Sequence, residues 1–162
     1  MHRTDIIACR AGVGTIRSGI SPTDRSGPMS LTVTPLYAGA LAIWFFVLSV
    51  RVVLGRSGPG KPSLGDGGDP MMLRRIRGHA NFAEYVPLIL LLMGLLELGK
   101  EPAWVLHALG GALLVARLLH GYTFAFTEQF VLGRSVGAGL TFLCLLIAGV
   151  LCLWMGLHGL PA

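Results

Sequence analysis

Nine polar side chains lie inside or at the edges of otherwise apolar stretches of this sequence: Arg51, Arg74, Arg77, Asn81, Glu84, Arg117, His120, Arg134 and Ser135. Guanidinium groups grip carboxylates through two parallel hydrogen bonds. A carboxylate such as Glu84 can hold an ammonium group. A serine hydroxyl beside an arginine, as in Arg134-Ser135, can donate to a sulfur anion while the adjacent charge makes the thiol easier to ionise, which creates a nucleophile. Such a set suits a small ligand that is mostly anionic and has one cationic group. No group of His, Cys, Asp and Glu has metal-ligand spacing, so no metal is expected. Cys9, Cys144 and Cys152 form no paired pattern, and no disulfide framework is expected.

The elements that must hold these residues are set by composition. Of the 162 residues 53% are hydrophobic and 13% charged, which is too apolar for an ordinary soluble domain. Four apolar stretches run from about 35 to 54, 71 to 98, 103 to 126 and 134 to 157. Each reaches the roughly 20 helical residues that a bilayer core requires. Strand-like alternation is absent, so the expected class is all-α, an integral membrane four-helix bundle. The Gly/Pro-rich segment 55-GRSGPGKPSLGDGGDP-70 cannot pack a core and reads as a flexible connector. The stretch 99-GKEP-102 reads as a tight turn. Residues 1–30 have a different composition and read as a disordered extension preceding the domain at 31–162. Met29 is the favoured biological start.

Orientation follows from lysine and arginine. Arg51, Arg56, Lys61, Arg74, Arg75 and Arg77 flank or occupy the first loop, whereas the second has Lys100. The loop 55–70 is therefore expected on the cytoplasmic side of a cell inner (plasma) membrane. The arginines of residues 1–28 oppose this, which is a second reason to favour Met29. The net charge of +5 is distributed between apolar runs and gives no continuous basic face, so no nucleic-acid partner is expected.

With four antiparallel spans the nine polar residues converge. The end of helix 1 (Arg51), the start of helix 2 (Arg74, Arg77, Asn81, Glu84), the end of helix 3 (Arg117, His120) and the start of helix 4 (Arg134, Ser135) lie on one side. At about 100° per residue the four residues on helix 2 fall within roughly a quarter of the circumference, with His79 on another face. Glu84 lies roughly 10 Å deeper than Arg77 and is expected to have a donor partner. An ionisable residue within a span is costly in lipid, so these groups should face one another or a wet cavity. Arg51, Arg74 and Arg75 also suit snorkelling anchors, Glu84 a structural ion pair with Arg77 or Arg117, and His79 a helix-packing hydrogen bond. Pro87 is expected to bend helix 2 beyond Glu84. Glutathione, with two carboxylates, an ammonium and a thiol, fits the charge inventory, as do other small zwitterionic anions.

The run 74-RRIRGHANFAEYVPL-88 resembles the helix 2 signature of the MAPEG family, the membrane-associated proteins in eicosanoid and glutathione metabolism. The matching residues are Arg77, His79, Asn81, Glu84 and Pro87. The helix 3 Arg-x-x-His appears as Arg117 and His120, the helix 4 Arg-Ser as Arg134 and Ser135, and the arginine closing helix 1 as Arg51. The resemblance extends from about Met29 to the C-terminus. It implies a homotrimer with glutathione bound between subunits near the cytoplasmic side. It also implies conjugation of the thiolate to hydrophobic electrophiles, or reduction of lipid hydroperoxides, with the small molecule entering from membrane lipid. Arg51, Asn81, Glu84 and His120 would hold the peptide, Arg134 and Ser135 would sit near sulfur, and Arg117 would support the site. The chain departs from this pattern at Ala80 and Phe82, where relatives often carry polar residues. It departs again at Ala138, in place of an aromatic hydroxyl, and at Phe124, where some relatives have tyrosine. Two further readings fit the same scaffold: a non-catalytic binder of lipid-derived ligands, and a transport or helper subunit whose polar layer serves assembly.

Overall fold

The computed structural model describes residues 30–62, 64–127 and 131–159. The extension at 1–30, with the expected start at Met29, lies outside the described residues except for Ser30. Four helices follow: α1 (Val33–Arg56), α2 (Pro70–Leu98), α3 (Ala103–Phe126) and α4 (Val131–His158). All four are long and apolar enough to cross a membrane. At 1.5 Å per residue the shortest reaches about 36 Å, against a hydrocarbon core of about 30 Å. The protein is an all-α, integral membrane four-helix bundle.

The helix ends explain where the boundaries fall. α1 starts two residues before the expected position because Pro35 fits within its first turn, where no backbone donor is lost. Its amides are satisfied from across the bundle. Glu97, at the end of α2, accepts from Val33 N and Thr34 N at 2.7 Å each, and also from Thr32 N. α2 opens on Asp69, whose carboxylate accepts from Met71 N at 2.9 Å, followed by Pro70 at the first helical position. It continues through Pro87 without a break in the helix. The turn to α3 uses Lys100 at φ 63° and ends at Pro102. α4 begins three residues earlier than expected, since Val131 and Leu132 belong to the helix and Gly133 is buried rather than a breaker.

α2 and α3 form the central pair. α1 packs on one flank of it and α4 on the other, and among the described residues α1 and α4 do not touch. Buried positions recur with alternating spacings of three and four: Phe82, Val86, Ile89, Met93 and Leu96 on α2, and Leu106, Leu109, Leu113 and Ala116 on α3. This is the seam of a left-handed bundle. Large apolar side chains such as Ile43, Phe46, Leu91, Leu146 and Trp154 point outward, as lipid contact requires. Close approach depends on small residues. A Cβ on Gly137 would stand 2.8 Å from Ala116 O and 2.9 Å from His120 N, so α4 meets the backbone of α3 there. On the other flank, Trp44 Nε1 donates to Arg117 O at 3.0 Å.

Candidate functional site

One cleft of about 470 Å³ opens between α2, α3 and α4 at the end of the bundle that carries the first loop. α2 contributes Leu73, Arg74, Arg77, Ala80, Asn81 and Glu84, an i, i+3, i+4 face of one helix. α3 contributes His120 and Phe124, and α4 contributes Arg134 and Ala138. Six of the residues selected from sequence thus share one wall: Arg74, Arg77, Asn81, Glu84, His120 and Arg134.

Phe124 organises the mouth. The Arg74 guanidinium carbon lies 5.7 Å from its ring centroid, the Arg134 carbon 5.6 Å, and the His120 ring 4.7 Å. Two cations from different helices therefore meet one aromatic ring, each contact contributing about 0.5–1 kcal/mol. The α2 backbone passes close by because position 78 is glycine; a Cβ there would stand 2.7 Å from the Phe124 Cβ. Arg74 also donates to Thr123 O at 3.1 Å and Thr127 O at 2.9 Å, satisfying carbonyls at the end of α3. Arg77, Glu84 and Arg134 are exposed at the cleft surface.

Behind this wall Arg117 is 1% exposed. Its Nη1 donates to Asn81 Oδ1 at 2.8 Å. Its Nη2 donates to Gly137 O at 3.4 Å and to Thr141 Oγ1. The Thr141 hydroxyl in turn donates to Gly137 O at 2.7 Å. Its described partners are thus an amide, a carbonyl and a hydroxyl. The donor expected beside Glu84 is not Arg117, which serves Asn81. Thr141 is not among the residues selected from sequence; the signal for it is its four-residue spacing from Gly137, which itself follows Gly133 by four.

Two of the nine residues stand apart from the cleft. Arg51 lies on the α1 flank, where Nη2 donates to Ala125 O at 2.9 Å and the guanidinium carbon sits 4.5 Å from the Phe126 centroid. It clasps the end of α3 from the side opposite α4. Ser135 is exposed and outside the cleft wall. His79 packs as expected, with Nε2 3.1 Å from Ser49 Oγ and its ring stacked on Phe45. Among the described residues no cluster of potential metal ligands occurs. One turn beyond Glu84 and Ala138, an apolar groove of about 540 Å³ begins on the same two helices, with Leu88 and Leu92 facing Phe142 and Leu146.

The molecule is thus a four-span membrane bundle with a cationic cleft at one end. The sequence model of the MAPEG family matches residues 34–154, and the chain belongs to that family. It is similar to inner membrane protein YecN of Escherichia coli (strain K12), with 33% identity over 122 residues, covering 75% of this chain and 91% of YecN. YecN of Escherichia coli O6:H1 matches over the same extent with the same identity. No solved structure matches the chain.

Proposed function

We propose that this protein is an inner-membrane glutathione transferase or peroxidase that activates the glutathione thiol for attack on lipophilic electrophiles or lipid hydroperoxides. The observation that carries the reading is the cleft itself, where Arg74, Arg77, Arg134, Asn81, His120 and Glu84 line one wall. Family membership supports a glutathione-associated role, and similarity to YecN supports the inner-membrane location. Glu84 takes the α-ammonium, while Arg77 and Asn81 take carboxylate or carbonyl oxygens. Arg134 faces the sulfur and stabilises the thiolate, which then forms a carbon–sulfur bond with an electrophile delivered from lipid, as a leaving group departs with its bonding pair or an activated double bond takes up the pair and a proton from water. With a hydroperoxide, the thiolate attacks oxygen and a second glutathione completes the disulfide, giving the alcohol and water.

The assembly in this reading is a homotrimer with the first loop on the cytoplasmic side. A neighbour then covers the open face of the cleft and brings its own Arg51, which explains why that residue lies on the opposite flank within one subunit. The position of Ser135 outside the cleft wall favours a second reading, a binder of lipophilic ligands without thiol chemistry. Titrating glutathione into the purified protein in detergent separates the two. The first reading expects the ultraviolet absorbance of a bound thiolate, lost in Arg134→Ala. Binding without that absorbance supports the second, and no binding overturns both uses of glutathione.

A further inference from the structure

Asn81 is the sole asparagine in the chain, and it joins the cleft to the buried interior. A carboxamide has one accepting end and one donating end. Guanidinium only donates. The 2.8 Å contact from Arg117 Nη1 therefore fixes the oxygen of Asn81 toward the interior. Thr141 and Gly137 hold the guanidinium in turn, so it cannot swing away and release the amide. The NH₂ group is left to face the half-exposed side, which is the cleft.

We infer that Arg117 is a positioning residue that locks Asn81 as a hydrogen-bond donor, so that the cleft selects a ligand acceptor, a carbonyl or carboxylate oxygen, at this point. Asn81 has a side chain able to present either polarity to a ligand without changing charge. The lock removes that choice. The buried cation also polarises the amide through its oxygen, which strengthens the NH₂ as a donor. With the amide turned the other way, its oxygen would face the ligand and its NH₂ would oppose the guanidinium, donor against donor. The inference requires that the cleft be the ligand site and takes glutathione from the proposed function only as a probe.

A single asparagine permits a direct test. Labelling the protein in detergent with ¹⁵N-asparagine gives one side-chain NH₂ signal. Arg117→Met is expected to shift that signal upfield and speed rotation about its C–N bond, because the polarising cation is gone. Arg117→Lys keeps a donor and a charge and should retain most of the native shift. In parallel, glutathione affinity should fall about tenfold in Arg117→Met, recover substantially in Arg117→Lys, and fall at least as far in Asn81→Asp, which still accepts from Arg117 but has no donor for the ligand. Asn81→Asp serves as the affinity test where Arg117→Met does not fold. An unmoved NH₂ signal in Arg117→Met, or undiminished affinity in Asn81→Asp, overturns the lock. A shifted signal in a protein whose wild type binds no glutathione supports the lock and overturns the glutathione reading instead.

Discussion

Single positions carry two kinds of information here. Chemistry is legible where the residues share one helix: Arg74, Arg77, Asn81 and Glu84 could be grouped by angular phase alone, and they line one cleft. It is illegible where a partner stands on another helix. Nothing in the sequence ties Arg117 to Thr141, because they meet only through the crossing of α3 and α4. That crossing rests on Gly137, where an added methyl would meet Ala116 O and the His120 backbone nitrogen below 3.0 Å. Backbone cannot yield as a flexible side chain can. Gly137→Ala is expected to cost about 1–3 kcal/mol or more and to lower the thermal midpoint in detergent. Gly78→Ala would put a methyl 2.7 Å from the Cβ of Phe124, which is anchored to the α3 backbone, so a comparable cost is expected. Its sharper effect should be on ligand affinity, because Phe124 holds Arg74 and Arg134.

The helices were legible because each is a long apolar run bounded by turn chemistry, and α3 occupies the expected 103–126. The ends that differ from expectation include the starts of α1 and α4. The sequence alone gives Glu97 no partner, yet its carboxylate closes the first turn of α1 some 64 positions away in sequence. Glu97→Ala is expected to cost about 1–2 kcal/mol and to expose the amides of Thr32, Val33 and Thr34 to faster hydrogen exchange, with the cleft end unchanged. Equal exchange in variant and wild type would show that solvent or lipid headgroups replace the carboxylate. Arg51 shows the same dependence on other helices. Its depth was clear from its place in α1, but its side depended on α1 packing against α2 and α3 and not α4.

That arrangement makes the two flanks of the molecule unlike, so repeated contact between them is head-to-tail and closes only as a ring. In the proposed trimer each cleft takes Arg51 from the next subunit. Arg51→Ala and Arg134→Ala homotrimers should both be deficient. Co-expressed in equal amounts, they should restore about one site in four, the fraction of interfaces that pair an intact Arg134 with an intact Arg51. No recovery in mixed trimers would mean that Arg51 serves only the end of α3. Orientation is testable separately. In a cysteine-free background Ser57→Cys should react with an impermeant thiol reagent only from the cytoplasmic side, and Lys100→Cys only from the opposite side.

The apolar groove along Leu88 and Phe142 begins one helical turn beyond the polar cleft, on the same two helices. Under the proposed chemistry, a water-soluble reagent and an oil-soluble one react at that boundary without either leaving its own phase. Turnover then follows how crowded the lipophile is among the acyl chains. Adding empty lipid to a reconstituted sample, with every total amount held fixed, should slow the reaction by dilution in two dimensions.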